Sequence, residues 1–260
     1  LFSIEDSERI PAEFKNIKDL SKQFSTFDAY EPVMKDVAAY IFTSGTTGLP
    51  KAALVDHAKL VKGSFAGHFL CFNFKTKDRL YMTLPLYHST GLVLGWAASL
   101  RAGCANIIKP KFSASEFWGD VKKYKANKFI YVGELCRYLM NLPASETDKS
   151  NSIVQISGNG LRPDIWDSFQ KRFNIKKIVE IYGATEAVGM TVNSFGRSGM
   201  IGRKRSDSTI IHCNKDDGSP ILNEQGYCTK ISEGETGLYI QKISSSAKFQ
   251  GYLDAQASNK

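Results

Sequence analysis

Short apolar runs alternate with amphipathic stretches from Val37 to Ile181, and this alternation limits the possible folds more than any other feature of the sequence. Each run has the length of a strand, and the stretches between the runs are long enough for helices. Strands that alternate with helices predict βαβ units, so we expect an α/β fold with a mostly parallel sheet flanked by helices. The predicted strands are residues 37–42 (VAAYIF), 79–84 (RLYMTL), 104–109 (CANIIK), 128–133 (KFIYVG), 153–157 (IVQIS) and 176–182 (KKIVEIY).

Two of the intervening helices carry clear start signals. In the stretch KFSASEFWGDVKKYKAN, Ser113 followed by Glu116 predicts a capping box, and Phe112 and Phe117 occupy the hydrophobic staple positions. A second helix is expected to begin near Pro163, because proline is favoured in a first turn. The apolar faces predicted for the core are Phe117, Trp118, Val121 and Tyr124 in the first helix, and Ile165, Trp166, Phe169 and Phe173 in the second.

The pattern of apolar and turn-forming residues changes after about Thr191. Short β-like pieces are separated there by clusters of Gly, Asp, Asn and Ser, which predicts a smaller strand-rich unit. We therefore expect a poorly defined lead-in over residues 1–36, an α/β core over 37–190 and a strand-rich part over 191–260.

Composition excludes several classes of protein. The 260 residues carry a net charge of +8, which suits nucleic acid, an anionic membrane face or a polyphosphate ligand. The lysines are spread along the chain, which favours solvated helix faces, and no motif interleaves basic and aromatic residues, so we expect no nucleic-acid partner. The five cysteines form no C-x-x-C pair, which argues for a reducing compartment and against a disulfide framework or a zinc site. No apolar run is long enough to predict a transmembrane helix.

The segment YIFTSGTTGLPK, from Tyr40 to Lys51, joins an apolar run to a loop rich in Gly, Ser and Thr and then to a lysine. Glycines allow a close backbone approach, hydroxyl and N–H groups donate to oxygens, and an ammonium neutralises charge, so this pattern suits phosphate. It is not a Walker A loop, since Leu49 and Pro50 separate Gly48 from the lysine and no hydroxyl residue follows. On these residues alone, an ordinary turn and a phosphate-binding loop remain equal alternatives.

The order of residues in YIFTSGTTGLPKAALVDH closely resembles the phosphate-binding loop of the adenylate-forming (AMP-binding) enzymes, which include acyl-CoA synthetases, luciferases and peptide-synthetase adenylation domains. The resemblance implies that this loop contacts the β- and γ-phosphates of ATP, which leave as pyrophosphate. The nucleotide-binding residues implied are Thr43, Ser44, Gly45, Thr46, Thr47, Gly48 and Lys51, and Lys51 is also given a catalytic role.

A second motif of that family is matched by IYGATEA. The resemblance implies that Tyr182 stacks on adenine, that Gly183 and Ala184 belong to the nucleotide site, and that Thr185 meets the α-phosphate. Glu186 is implied to hold Mg²⁺, which suits a hard cation that prefers carboxylate oxygen. Thr185 and Glu186 are therefore expected to be catalytic.

Two further stretches fit the same family. In SGNGLRP, Gly158, Asn159 and Gly160 resemble the backbone wall beside adenine, although Gly-Asn-Gly alone signals only a turn. In LPLYHSTG, His88 matches a family position beside the substrate carboxylate and the α-phosphate. A lone histidine is more often structural, and the resemblance makes His88 a candidate substrate residue.

The stretches KFSASEFW, YVGELCRYL and GNGLRPDIW resemble the branch of fatty acid transport proteins and very-long-chain acyl-CoA synthetases, most of all its fungal members. The resemblance is strong from about Tyr40 to Ala187 and patchy to Asp254. It implies a fatty acid substrate, with ATP, Mg²⁺ and coenzyme A, and a two-step reaction through acyl-AMP to acyl-CoA. The alternative is a fatty acid transport or binding protein at a membrane, in which ligation is secondary.

The family also has a downstream Thr-Gly-Asp motif and a small C-terminal domain with a catalytic lysine, and neither is matched before Lys260. We therefore expect the chain to be a central piece of such an enzyme with little or no ligase activity by itself. The resemblance further implies work at the cytosolic face of a membrane, in the peroxisome, the endoplasmic reticulum or the plasma membrane, with membrane association through parts outside this chain.

Overall fold

The computed structural model describes residues 2–3, 15–16, 22, 30–43, 50–244 and 249–254. The chain forms two units, which divide between Val33 and Met34. In the first unit, the two-residue strands β1 (Phe2–Ser3) and β2 (Lys15–Asn16) pair in parallel. The other elements that the structure describes belong to the second unit.

The second unit begins with an antiparallel hairpin of β3 (Val37–Thr43) and β4 (Lys51–Asp56). The strand predicted at 37–42 is therefore present, but its expected place in the parallel βαβ alternation is wrong. Apolar periodicity defines a strand and not its partner, and here the partner is the segment that follows the Gly-rich loop. Thr43 pairs directly with Lys51, so the hairpin holds the two ends of that loop side by side. Residues 44–49 lie outside the described part of the chain.

A six-stranded sheet forms the centre of the second unit. Its strands are β5 (Arg79–Met82), β6 (Ala105–Ile108), β7 (Lys128–Val132), β8 (Gln155–Asn159), β9 (Lys177–Tyr182) and β10 (Thr191–Asn193). Their order across the sheet is β10-β9-β8-β7-β5-β6. Five neighbouring strands are parallel, and β10 pairs antiparallel at the edge. The predicted α/β fold with a mostly parallel sheet is confirmed.

Helices cover both faces of this sheet. Met82 and Ile130 face a π-helical segment, since a Cβ atom on Gly95 would lie 2.8 Å from the Met82 sulfur and 3.2 Å from a methyl carbon of Ile130. Tyr81 points to the opposite face, where its ring lies 5.0 Å from that of Phe117. The α-helices are α1 (His57–Phe65), α2 (Ala98–Ala102), α3 (Ala114–Tyr124), α4 (Gly133–Met140) and α5 (Pro163–Arg172); the π-helical segments are Ala66–Phe72 and Thr90–Ala97, and a 3₁₀ turn spans Glu146–Lys149.

The start signals of the helices are only partly confirmed. Helix α5 begins at Pro163 as predicted, and the staple rings of Phe112 and Phe117 lie 5.9 Å apart. The predicted capping box at α3 is wrong, because the Ser113 hydroxyl lies 3.2 Å from that of Ser115 and makes no capping hydrogen bond. Glu116 faces Lys109 instead, 3.8 Å away, so a cation that follows β6 competes for the carboxylate.

The predicted aromatic core is confirmed, except that Tyr124 is only partly buried and does not belong to the buried cluster. The rings of Phe117, Trp166, Phe169 and Phe173 are at most 1% exposed and belong to one cluster over the sheet. Burial of aromatic rings of this size contributes strongly to stability, about 25 cal/mol per Å² of apolar surface. Beyond the sheet, β11 (Ser208–Ile211) and β12 (Leu238–Gln241) form an antiparallel pair within the part of the chain that was predicted to be strand-rich. Its proposed boundaries remain a prediction. Among the described residues, no helix is both long and apolar enough to cross a membrane.

Candidate functional site

A cleft of about 1000 Å³ opens where β8 and β9 end, between the turn after β9, the hairpin and helix α1. Ligands of open α/β sheets bind at the carboxyl ends of the strands, so this is where the fold places a site. The cleft volume is in the range of small-molecule sites. The predicted site residues that line it are Thr43, His88, Asn159, Gly183, Ala184, Thr185 and Glu186.

Other predicted residues lie beside the cleft or outside the described chain. The Lys51 ammonium lies 5.3 Å from the centre of the Tyr252 ring. Tyr182 is half exposed, and its ring stands edge-on to that of Tyr239, with the centroids 6.4 Å apart. Gly158 and Gly160 flank Asn159, which lines the cleft. Ser44, Gly45, Thr46, Thr47 and Gly48 are not among the described residues. The nucleotide-binding roles of all these residues remain predictions.

The turn that carries Thr185 and Glu186 is held by side chains from two other elements. The Ser89 hydroxyl lies 3.0 Å from the Thr185 hydroxyl, and the Lys59 ammonium donates a hydrogen bond to the Thr185 carbonyl. Burial lowers the pKa of Lys59, although the charges of Glu186 and Asp56 oppose that effect. The sequence analysis missed Lys59 and Ser89, since neither belongs to a motif. The turn thus presents a hydroxyl and a carboxylate to the cleft, and the partly buried Lys59 ammonium lines the same cleft.

Asp56 fixes helix α1 and thereby Lys59. One oxygen of its carboxylate accepts a hydrogen bond from the Lys59 backbone N–H at 2.7 Å, which is an N-cap contact. The other oxygen accepts one from the Gln250 side chain at 2.9 Å. An aspartate between a strand and a helix is a cap signal that sequence reasoning could have used. The link to Gln250 spans 194 positions and has no local signal.

A segment near the end of the described chain contributes directly to the site. Gly251 accepts a hydrogen bond from the Leu54 N–H at 3.0 Å, and the Leu253 N–H donates to the Ala52 carbonyl at 2.9 Å. Segment 249–254 therefore docks along β4 like an additional strand. From it, the Tyr252 hydroxyl donates to Glu186 Oε1 at 3.1 Å. Burial and the nearby Glu186 charge raise the pKa of the Tyr252 phenol.

A buried carboxylate supports the Gly-Asn-Gly wall from behind. Tyr131, Gly158 and Glu180 are neighbours across β7, β8 and β9. Gly158 is essential to this arrangement, because a Cβ there would lie 2.0 Å from the Tyr131 carbonyl oxygen. With no side chain in between, the Tyr131 hydroxyl reaches Glu180 and donates a hydrogen bond at 2.5 Å. The position of the wall is thus coupled to one strand on each side of β8, namely β7 and β9.

Glu180 also accepts hydrogen bonds from the backbone of the wall itself. The Gly160 N–H donates to Glu180 Oε1, as does the Leu161 N–H at 3.1 Å. Glu180 is 2% exposed, and burial raises the pKa of its carboxyl to about 6. A charged residue inside the apolar run KIVEIY was the available signal, and the sequence analysis did not use it.

The donor set fits Mg²⁺ only if phosphate oxygens complete it. The described residues contain no group of three or more His, Cys, Asp or Glu side chains that could hold a metal ion alone. Mg²⁺ in nucleotide sites is bound by one or two carboxylates together with substrate phosphates and waters. Glu186, a single carboxylate on the cleft wall, suits that arrangement.

Comparison with known proteins gives one family and a set of curated relatives. The family described as AMP-binding enzyme matches residues 3–235. The chain is 42% identical over 226 residues to long-chain fatty acid transport protein 3 of Mus musculus, and the aligned region covers 85% of this chain and 34% of the relative. It is 34% identical over 258 residues to the medium/long-chain-fatty-acid–CoA ligase FadD6 of Mycobacterium tuberculosis, with 97% of this chain and 43% of the relative covered. The chain thus spans less than half the length of these curated relatives.

Solved structures agree with the fold. The ATP-bound crystal structure of MatB from Rhodopseudomonas palustris matches with a TM-score of 0.73 at 22% identity, over 94% of this chain and 47% of the other. The structure of o-succinylbenzoate coenzyme A synthetase (MenE) from Bacillus subtilis in complex with AMP gives a TM-score of 0.68 at 18% identity, over 95% and 49%. At these identities the likeness establishes the fold alone.

Proposed function

Because the chain belongs to the AMP-binding enzyme family, we propose that the protein activates long- or very-long-chain fatty acids with ATP, first to acyl-AMP and then to acyl-CoA. The proposal is carried by one observation: Thr185 and Glu186 face a cleft together with His88 and the hairpin end at Thr43. The matched relatives named as a fatty acid transport protein and a fatty-acid–CoA ligase support the class of substrate.

The proposed reaction has two steps. The fatty carboxylate attacks the α-phosphorus of ATP and pyrophosphate leaves; the thiolate of coenzyme A then attacks the acyl carbonyl and AMP leaves. Lys51 and the loop from Thr43 to Gly48 would hold the leaving pyrophosphate, and the Thr185 hydroxyl would donate to the α-phosphate. Glu186 would hold Mg²⁺, which when bound neutralises charge on the phosphates. Catalysis in this scheme is positioning and charge stabilisation.

The cleft has an apolar side that suits an acyl chain. This side is lined by Val93 and Leu94 from the π-helical segment Thr90–Ala97 and by Ala66 and Leu70 from the π-helical segment Ala66–Phe72. His88 lines the same cleft, and the hydroxyl of its neighbour Ser89 lies 3.0 Å from the Thr185 hydroxyl, so we assign His88 to the reacting carboxylate. A long acyl chain also partitions into bilayers, and a location at the cytosolic face of a membrane is part of the proposal.

Exchange of pyrophosphate into ATP by the complete gene product tests this function. We expect exchange that depends on a fatty acid and falls at least about 100-fold in a Glu186→Ala variant, because the carboxylate for Mg²⁺ is lost. Glu224→Ala is the matched control, since Glu224 is exposed and outside the cleft.

The same experiment distinguishes the proposed ligase from the alternative, a fatty acid transport or binding protein. A folded protein that supports no exchange with any fatty acid, and whose fatty acid uptake is unchanged by Glu186→Ala, would favour a transport or binding role. Exchange driven by amino acids instead of fatty acids would contradict the proposed substrate class.

A further inference from the structure

We propose that Tyr252 is a positioning residue that sets the spacing between Lys51 and Glu186, and so between the pyrophosphate end of the nucleotide and its metal ion. This inference rests on the proposed function for the roles of Lys51 and Glu186. It adds a residue from a distant segment that no motif of the sequence analysis assigned to the site.

The backbone around Tyr252 is fixed to the strand that carries Lys51. Hydrogen bonds on both sides of Tyr252, from the Leu54 N–H to Gly251 and from the Leu253 N–H to Ala52, join the segment to β4. Ala53 forms an isolated antiparallel bridge with Tyr252 itself. The tyrosine therefore cannot shift along β4 without breaking these bonds.

The side chain of Tyr252 contacts both groups through different parts. Its ring lies below the Lys51 ammonium, 5.3 Å from centroid to nitrogen, which is within cation–π distance. Its hydroxyl donates to Glu186 Oε1 at 3.1 Å. One rigid side chain thus spans from the end of the phosphate loop to the carboxylate expected to hold the metal ion.

A carboxylate that accepts a hydrogen bond on one oxygen has a restricted orientation, and its other oxygen then points in a defined direction. Loss of such a partner lowers metal affinity about 10–100-fold in known metal sites. The ring has a separate consequence, because it limits the positions of the Lys51 ammonium whether or not a metal ion is bound. The two effects can be separated by two substitutions.

Calorimetric titration of the complete gene product with ATP, with and without Mg²⁺ and without fatty acid, tests the inference. Tyr252→Phe is expected to weaken binding of MgATP about 10-fold or more and binding of metal-free ATP much less, since the ring contact with Lys51 remains. Tyr252→Leu is expected to weaken both, because Lys51 also loses its ring contact. Tyr227→Phe is the matched control, since Tyr227 is 71% exposed and lies outside the cleft.

The dependence on Glu186 provides a second check. In a Glu186→Ala background, Tyr252→Phe is expected to have no further effect on MgATP binding, because the hydroxyl acts through that carboxylate. Unchanged MgATP binding in Tyr252→Phe, or an equal loss with and without Mg²⁺, would overturn the inference while leaving the proposed function intact. Wild-type protein that binds no MgATP would overturn both.

Discussion

At the scale of single residues, the side chains that organise the cleft lie outside the recognised motifs and form hydrogen bonds with residues that are distant in sequence. Glu180 receives hydrogen bonds from Tyr131 and from the backbone of Gly160 and Leu161, yet it belongs to none of the motifs that identified the site. Lys59 likewise reaches the Thr185 carbonyl from helix α1. Motif residues such as Thr185 therefore depend on supporting side chains that a motif does not include.

Glu180 should make stability depend on pH. Its carboxyl pKa is raised by burial from 4.5 to about 6 in the folded protein, so between these values the folded state holds a proton that the unfolded state has lost. The resulting stabilisation is fully present below about pH 4.5 and is lost as the pH rises through 6; its size is at most about 2 kcal/mol.

The measurement compares denaturant unfolding of the wild type with that of Glu180→Gln, which cannot titrate. The free energy of unfolding of the wild type, relative to the variant, should fall by about 1–2 kcal/mol between pH 4.5 and 7. A difference between the two proteins that stays constant over this range would show that the Glu180 pKa is not raised.

At the scale of elements, close backbone approach shapes the wall of the cleft. At Gly158 in β8, the Tyr131 carbonyl oxygen lies 2.0 Å from the position that a Cβ atom would occupy. Gly160 adopts φ of +81°, in the left-handed region that favours glycine, and this turns the chain from β8 toward α5. Neither glycine is replaceable without moving the wall that carries Asn159.

Substitution of Gly158 by alanine is expected to destabilise the protein by more than about 3 kcal/mol, since the new Cβ would lie 2.0 Å from a backbone atom that cannot move aside. Gly119→Ala is the control, because Gly119 lies in α3 with no atom within 4 Å of its Cβ position. That change should be stabilising by about 0.5–1 kcal/mol, as expected for alanine in a helix. Equal effects of the two substitutions on the melting temperature would contradict the packing described here.

At the scale of the whole molecule, the site joins residues from widely separated parts of the chain. Thr43 and Lys51 come from the hairpin, Thr185 and Glu186 from the turn after β9, and Tyr252 from the segment docked on β4. These contacts join residues that are far apart in the sequence, so the cleft forms only after the sheet, the hairpin and the docked segment have assembled.

Hydrogen exchange can test that assembly. The amides of Leu54 and Leu253 donate across the same interface, in opposite directions. They should therefore be protected to a similar degree and exchange in the same opening event. Fast exchange at both amides would mean that segment 249–254 is not docked along β4, and clearly different exchange rates would mean that the two hydrogen bonds open separately.

The sequence by itself determined the strands of the parallel sheet, the α/β class, most of the aromatic core and the motif residues that line the cleft, but it did not indicate the strand Lys51–Asp56. Helix and strand periodicity and the order of motif residues are local properties, so they can be recognised in the sequence without knowledge of the tertiary structure. Only the tertiary structure decided that Val37–Thr43 pairs with Lys51–Asp56, that Glu116 turns to Lys109 and not to the helix cap, and that Tyr252 reaches Glu186. The physical reason is that a strand edge, a carboxylate or a hydroxyl can be satisfied by several partners, and which one it meets depends on packing between segments far apart in the chain.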